Sequence, residues 1–229
     1  MSVTYEVHEH LATITMDDGK ANALTPQLLA DLHAAFDRAE TDGAGVVLAG
    51  RPGRFSAGFD TNVLASREGP DLLRSGFELA HRVLSFPYPV VMACTGHAFA
   101  MGVFLLLSAD YRVGAVGEFK ITANEVAIGL TMPHAALEIS RQRLTRAHFE
   151  RAMILAEVFD PKSAVAAGFL DVAVPPDEVI EVATAKAQAA MGLNLEAHAA
   201  TKLRARAESL ATVRAAIETD VTDFRALTT

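Results

Sequence analysis

The stretch from residue 90 to residue 109 reads VVMACTGHAFAMGVFLLLSA and contains two apolar segments separated by a glycine turn. Val90 to Thr95 is a continuous apolar run that predicts a buried strand. Gly96 breaks this strand, and Met101 to Ala109 has the length and composition of a buried helix. An apolar strand followed by a buried helix is typical of a sheet that helices cover.

The same pattern continues toward the N-terminus. Val3 to His8 and Leu11 to Met16 alternate apolar and polar residues, which predicts two strands joined by a tight turn. Thr25 followed by Pro26 predicts an N-cap and the first position of a helix. Gly45 to Gly50 is again a short apolar strand. The fold class is therefore α/β, with a loop expected from residue 51 to residue 58.

The C-terminal part of the chain has a different pattern. From Asp177 onward no strand pattern is present and the apolar residues recur at helical spacing. We therefore divide the chain into a core over residues 1–176 and a C-terminal helical region over residues 177–229. Two interpretations of these helices stay open: they dock on a partner subunit, or they cover the chain's own core.

Composition limits the function. The 229 residues carry a formal net charge of −8, which argues against binding to nucleic acid because phosphate contacts need clustered Lys and Arg. The single cysteine, Cys94, fits a reducing compartment and excludes an internal disulfide. The longest apolar run, Ala98 to Leu107, is shorter than the about 20 residues of a membrane span. We expect a cytoplasmic protein, with no signal peptide, that does not bind membranes.

The sequence lacks the motifs of several common nucleotide-binding, metal-binding and hydrolase sites. It contains no P-loop, no dinucleotide fingerprint, no HExxH motif and no GxSxG elbow. His8 and His10 fit the strand alternation better than a metal site, and Cys94 is expected to be a buried, unreactive thiol. His97 and His134 each either line a pocket or satisfy hydrogen bonds of a loop.

Two segments share a local pattern that can place backbone amides in a catalytic site. FSAGFD at residues 55–60 and TGHAFAMG at residues 95–102 each contain a glycine turn that precedes a helical pattern. Backbone amides at such turns can converge on an oxygen that carries developing negative charge. Two amides from two turns would form an oxyanion hole.

The motifs together resemble the crotonase (enoyl-CoA hydratase/isomerase) superfamily. The resemblance covers nearly the whole chain and rests on the order and spacing of KANAL at 20–24, FSAGFD at 55–60, TGHAFAMG at 95–102 with SADYR at 108–112, NEVAIGL at 124–130 and AEVFDPKSAVAAGFLDVAV at 156–174. It implies a right-handed spiral of ββα turns whose C-terminal helices build a homotrimer, often paired into a hexamer. It also implies an enzyme of fatty acid metabolism and β-oxidation.

The resemblance also implies roles for individual residues. The oxyanion hole would consist of the backbone amides of Phe59 and Met101, and Lys20 would lie near the coenzyme A. Arg51 and Arg54 are either further contacts for its phosphates or solvated loop charges. The other substrate-binding positions that the resemblance implies are Ala21, Ala57, Gly58, Asp60, Phe104 and His134. No metal and no separate cofactor are expected, since coenzyme A is part of the acyl-CoA thioester substrate.

One departure from the hydratase pattern distinguishes the possible reactions. Phe104 stands where hydratases carry their first catalytic glutamate, whereas Glu125 matches the second. Hydration uses two carboxylates, but a single carboxylate suffices to move a double bond from the 3 to the 2 position of an acyl thioester. The pattern therefore favours a Δ3,Δ2-enoyl-CoA isomerase in which Glu125 is the catalytic base. Its apolar neighbours from Val126 to Leu130 are expected to raise its pKa by desolvation.

Two alternatives stay open. The chain could be an enoyl-CoA hydratase in which another group, such as His134, orients the water. It could also be a non-catalytic protein that keeps only the fold and its assembly. The chain ends at Thr229, which is earlier than the resemblance leads us to expect, so the last helix is expected to be short or missing.

Overall fold

The computed structural model describes residues 2–227, which form a mixed α/β fold. The strands are β1 Val3–His8, β2 Leu11–Met16, β3 Ala23–Leu24, β4 Gly45–Ala49, β5 Gly53–Ser56, β6 Gly58–Phe59, β7 Val90–Cys94, β8 Gly96–Phe99, β9 Tyr111–Ala115, β10 Ile121–Thr122 and β11 Val172–Val174. The helices are α1 Pro26–Thr41, α2 Thr61–Leu64, α3 Gly69–Ser85, α4 Met101–Leu107, α5 His134–Arg141, α6 Arg146–Met153, α7 Pro161–Ala167, α8 Val179–Met191, α9 Leu195–Ala205 and α10 Ala207–Leu227.

The larger sheet has six strands in the order β1-β2-β4-β7-β9-β11. Only β1 and β2 are antiparallel, and the other neighbours are parallel. The predicted tight turn between β1 and β2 is confirmed, since Glu9 and His10 both have positive φ, at 46° and 61°. Such angles match the right-handed twist of a hairpin. The fully buried β4 and β7 carry the apolar runs that the sequence predicted.

A second sheet lies where the sequence predicted a loop. Strands β10, β8 and β5 form a parallel three-stranded sheet, and β3 pairs with β6. The expected loop over residues 51–58 is therefore wrong, whereas the expected break at Gly96 is confirmed, since β7 ends at Cys94 and Gly96 begins β8 in the second sheet. These strands have two to four residues, too few to show a period. A Cβ on Gly96 would lie 2.0 Å from the carbonyl carbon of Gly53, so glycine permits this close strand contact.

The C-terminal helices pack on the chain's own core. Helix α8 contacts β4, β7 and β9 on one face of the large sheet, whereas α10 lies on α3 and α5. Val213, Ile217 and Val221 of α10 are buried in the main core. This packing agrees with the second of the two interpretations for these helices, and assembly into an oligomer stays a prediction. Within residues 2–227, no helix is long and apolar enough to cross a membrane.

Candidate active site

The three parallel strands β5, β8 and β10 end at the same edge of their sheet. Ser56 is in register with Ala98, and Thr122 is in register with Phe99. The residues that follow these strand ends include Phe59, Met101 and Glu125. Since the carboxyl ends of parallel strands meet at one edge, the topology brings the three principal predicted residues together.

The two glycine-containing turns are in direct contact. Gly58 has φ of 83°, and a Cβ on it would lie 2.8 Å from Ala100 Cβ and 3.2 Å from Met101 N. Only glycine combines this positive φ with such a close approach. The backbone amide of Phe59, the next residue, therefore lies beside the start of α4.

The second turn contains an unusual backbone conformation at Ala100. Its φ of 49° and ψ of −127° fall in a region that favours glycine and costs other residues about 1–3 kcal/mol. Met101 follows as the first residue of α4, so its N–H has no carbonyl within the helix to which it can donate. The oxyanion-hole prediction requires such an amide without a partner inside its helix, and the role of Met101 stays a prediction.

Two polar residues that sequence reasoning missed hold the first turn. Asn22 is fully buried and its Nδ2 donates to the carbonyl oxygens of Met16 (2.9 Å) and Phe55 (3.1 Å). Ser56 Oγ donates to Asn22 O at 2.8 Å and accepts from Gly58 N at 3.1 Å. Polar residues between apolar neighbours in KANAL and FSAGFD were the available signal. Because all of these bonds are made with backbone groups, the two side chains fix the position of the turn that ends at Phe59.

Glu125 lies on a tight turn just after β10. Its carbonyl oxygen accepts from Leu130 N at 2.9 Å, and Gly129 closes the turn with φ of 83°. The residue is 7% exposed, and its Oε2 has no hydrogen-bond partner among the described residues. Burial raises the pKa of this carboxyl group from 4.5 to about 7, although its own backbone N–H lowers it in part. The carboxylate can therefore exchange a proton near neutral pH.

A cavity of about 110 Å³, partly open to solvent, is lined by Glu125. The lining is otherwise apolar except for two threonines, and consists of Phe59, Thr61, Leu64, Leu73, Phe77, Ala100, Phe104, Ile128, Leu130, Thr131, Pro133 and Phe224. The rings of Phe77 and Phe104 stack with centroids 6.1 Å apart. Phe104 thus contributes an apolar wall where hydratases are expected to carry a carboxylate, and Glu125 is the only ionisable group in this lining.

The raised pKa of Glu125 agrees with the sequence prediction, but its cause differs in part. Val126 and Ala127, which were expected to desolvate the carboxylate, are exposed. Ile128 and Leu130 line the cavity while staying partly open to solvent. The buried lining comes from residues distant in the sequence, above all Phe77 and Phe104.

Other predicted substrate positions lie outside this lining. Asp60 caps α2, since its Oδ1 accepts from Asn62 N at 2.9 Å and Val63 N at 3.2 Å. Ala57 N donates to Ala21 O at 3.0 Å, which joins the KANAL segment to the first turn. Lys20 is exposed, and its carbonyl oxygen accepts from Arg51 Nη1 at 2.9 Å.

His134 faces a neighbouring hollow. Its side chain is 60% exposed and its Nε2 lies 3.9 Å from Asp223 Oδ2. This hollow of about 90 Å³ is lined by Leu73, Thr131, Met132, Pro133, His134, Asp220, Asp223 and Phe224. The structure therefore does not bring His134 into the lining that contains Glu125.

The remaining candidates have structural contacts. His97 Nδ1 accepts from Lys120 N at 3.0 Å, which agrees with the loop interpretation of this histidine. Cys94 is buried, and desolvation raises the pKa of its thiol to about 12, so the expected unreactive thiol is confirmed. Within the described part of the chain, no three His, Cys, Asp or Glu side chains are grouped so that they could hold a metal ion.

A larger open groove of about 500 Å³ runs along α9 but shares no lining residue with the Glu125 cavity. Its two cations are already paired, since Lys202 Nζ and Arg206 Nη2 lie 2.6 Å and 2.9 Å from the two carboxylate oxygens of Asp110. Because a base and two convergent turns meet at the smaller cavity instead, that cavity is the candidate active site.

Comparison with known proteins agrees with this geometry. Residues 6–229 match the family described as enoyl-CoA hydratase/isomerase. The chain belongs to this family. Its fold is the crotonase fold: an enoyl-CoA hydratase from Mycobacterium marinum superposes with a TM-score of 0.95 at 47% identity, covering 98% of this chain and 100% of that one.

Two solved structures that are described as isomerases are also similar to this chain. A Mycobacterium tuberculosis protein is described as an enoyl-CoA isomerase in one structure and as a probable enoyl-CoA hydratase in another. The first of these structures gives a TM-score of 0.94 at 49% identity and covers 96% of this chain and 98% of that chain. Human mitochondrial delta3-delta2-enoyl-CoA isomerase gives 0.91 at 27% identity and covers 100% and 92%. The names of the relatives therefore include both reactions of the family.

Proposed function

We propose that this member of the enoyl-CoA hydratase/isomerase family is an isomerase that converts 3-enoyl-CoA thioesters into 2-enoyl-CoA thioesters. The observation that carries the proposal is a single buried carboxylate, Glu125, in a cavity whose lining is otherwise uncharged. A proton shuttle needs one such group, and its pKa of about 7 lets it both accept and return a proton near neutral pH.

The proposed reaction moves one proton and one double bond. The Glu125 carboxylate removes a proton from C2 of the thioester, and the electron pair of that C–H bond delocalises over the 3,4 double bond and the carbonyl oxygen. The amides of Phe59 and Met101 would donate to this oxygen in the dienolate. The Glu125 carboxyl group then returns the proton to C4, which leaves the double bond between C2 and C3 and restores the carboxylate.

The apolar lining supports isomerisation over hydration. A hydratase must hold and orient a water molecule, whereas Phe77 and Phe104 offer this cavity no hydrogen bond. His134, the candidate for orienting water, lines the neighbouring hollow and lies near Asp223. The similarity to human mitochondrial delta3-delta2-enoyl-CoA isomerase further supports the proposal.

We place the phosphates of coenzyme A near Lys20 and the turn between β4 and β5, which contact each other through Arg51. Lys20 and Arg54 are exposed there, and Arg51 lies beside Lys20 while its Nε is 3.3 Å from Asp17 Oδ1. These cations offer local attraction to a polyanion despite the net charge of −8. No separate cofactor is needed for the proposed reaction.

The decisive experiment replaces the base while keeping its shape. Glu125→Gln is expected to lower kcat for isomerisation of a 3-enoyl-CoA by a factor of at least about 10³, because the amide cannot accept the C2 proton. The formation of 2-enoyl-CoA is followed directly, and binding of a saturated acyl-CoA is measured in parallel. The exposed Glu118→Gln is the matched control and should leave the rate unchanged.

Three results would contradict the proposal. Isomerase activity retained in Glu125→Gln would remove the assigned base. Hydration of 2-enoyl-CoA that exceeds isomerisation in the wild-type protein would favour a hydratase. A wild-type protein that binds no acyl-CoA would favour the non-catalytic alternative.

A further inference from the structure

The last helix, α10, places one aromatic side chain at the centre of the cavity system. Phe224 lines the Glu125 cavity of about 110 Å³ and the His134 hollow of about 90 Å³. It also lines an outer hollow of about 270 Å³, together with Thr61, Leu64, Ala65, Ile128 and Leu130. The three spaces are therefore neighbours that share this ring as a wall.

The position of Phe224 is fixed by a buried contact one helical turn earlier. Asp220 is 6% exposed, and its two carboxylate oxygens accept from His134 N at 2.7 Å and Ala135 N at 2.9 Å. Residues four apart lie on the same face of a helix, so this contact anchors the face of α10 that carries Phe224. Arg74 strengthens the anchor through a bidentate pair with Glu218, at 2.6 Å and 2.8 Å.

The ring of Phe224 also packs against helix α3. A Cβ on Gly69 would lie 2.9 Å from Phe224 Cε1, so the ring packs closely on a helix position without a side chain. The Asp220 contact fixes α10 against α5, and the ring of Phe224 packs on Gly69 of α3. These two contacts hold the ring in place as a wall of the cavity.

The size of the inner cavity limits what can fit behind this wall. An apolar cavity of about 150 Å³ holds one benzene molecule, so the smaller space of about 110 Å³ at Glu125 has room for roughly four chain carbons. Phe77 and Phe104 close its other wall with a stacked pair of rings. Longer chains would have to enter a space that lies on the other side of Phe224.

We propose that Phe224 is a specificity-determining residue that separates the Glu125 cavity from the two adjoining hollows and so restricts the acyl group to short chains. The inference rests on the proposed function in that it takes an acyl-CoA as the ligand. Replacing the ring with a methyl group would join the three spaces and admit a longer chain.

The test measures binding, which does not depend on Glu125 acting as a base. Dissociation constants for hexanoyl-CoA and dodecanoyl-CoA are determined by calorimetry for the wild type, Phe224→Ala and Phe224→Leu. The wild type should bind hexanoyl-CoA more tightly. In Phe224→Ala the affinity for dodecanoyl-CoA relative to hexanoyl-CoA should rise at least ten-fold, with a smaller rise in Phe224→Leu.

Leu210→Ala is the matched control. Leu210 lies on the same helix and packs on the core, but it lines none of the three spaces, so its substitution should leave the ratio of affinities unchanged. If Phe224→Ala does not fold, Phe224→Leu carries the test alone.

The outcomes separate this inference from the proposed function. An unchanged ratio in the folded Phe224 variants would overturn the inference and leave the isomerase proposal standing. The same holds if the wild type already prefers dodecanoyl-CoA. Loss of binding to both thioesters in the wild type would overturn the proposed function and this inference with it.

Discussion

Glu125 shows how a single residue can have opposite effects on stability and on activity. Its carboxyl group is buried, with one oxygen that has no partner among the described residues, so the charged form is poorly solvated in the folded protein. The same desolvation brings its pKa to about 7, which suits a group that exchanges protons at neutral pH. An uncharged side chain at position 125 would therefore make the folded protein more stable at neutral pH.

The pKa of Glu125 predicts how activity and stability depend on pH. Because the free protein must present the carboxylate, kcat/KM should fall about ten-fold per pH unit below pH 7. The folded-state pKa lies above the ordinary 4.5, so the folded protein retains a proton that the unfolded chain releases. The destabilisation is therefore absent below pH 4.5, grows as pH rises, and is complete above about pH 7.

Glu125→Gln should therefore be more stable than the wild type at alkaline pH. The shift from 4.5 to about 7 corresponds to roughly 3 kcal/mol, so at pH 8 the variant should gain about 2–3 kcal/mol in the free energy of unfolding. At pH 5 the two proteins should differ much less. Urea unfolding at both pH values checks this, with Glu118→Gln as control. An equal gain at both pH values would show that ionisation is not the cause.

At the scale of elements, α5 depends on a cap supplied by another helix. Pro133, at its N-cap, has no side chain that could accept a hydrogen bond, and Asp220 of α10 receives the N–H groups of His134 and Ala135 instead. The carboxylate also faces the positive end of the α5 dipole. This one residue therefore joins two helices that flank the cavity.

Removing the capping carboxylate of Asp220 should lower the free energy of unfolding more than removing the neighbouring carboxylate of Asp223. Asp220→Ala leaves two N–H groups without acceptors and should lower the free energy of unfolding by about 2 kcal/mol. Asp223→Ala, whose side chain is 65% exposed, should change it by less than about 0.5 kcal/mol. Denaturant titrations of both variants measure the difference, and equal effects would contradict the capping role.

At the scale of the whole molecule, apolar side chains stay exposed beside the site. Ile154, Leu155 and Val158, in the connection between α6 and α7, are 59%, 72% and 52% exposed. This connection contacts β10, since Phe159 bridges to Ile121, and the adjacent turn exposes Ile128. Exposed apolar patches of this kind are typical of interaction surfaces. The patch is therefore a candidate surface for assembly, and the homotrimer that the resemblance implied stays a prediction.

The predicted assembly can be tested by adding a charge to this patch. Leu155→Glu is expected to reduce the molar mass measured by light scattering from that of a trimer or hexamer toward the 24.4 kDa of one chain. Val116→Glu changes an apolar residue that is 42% exposed at the end of β9 and should leave the mass unchanged. A wild-type protein that elutes as a monomer would contradict the prediction.

Long, regular features could be read from the sequence. Strands β1, β2, β4 and β7 of the large sheet, the cap of α1 at Thr25 and the helical periodicity after residue 177 each follow from local composition. The two glycine turns and the single glutamate of NEVAIGL also stand out, because few residue types fit those positions. The short strands β5 and β8 could not be predicted this way, since four residues show no period.

The sequence by itself determined the family, the α/β class and the identity of the candidate base. Only the tertiary structure decided what surrounds that base. Phe77, Phe104 and Phe224 come from three helices distant in the chain, yet all of them line the cavity with Glu125. Desolvation depends on every group packed around a carboxylate, whereas local sequence gives only its neighbours along the chain. For the same reason, packing alone placed His134 in a different hollow from Glu125.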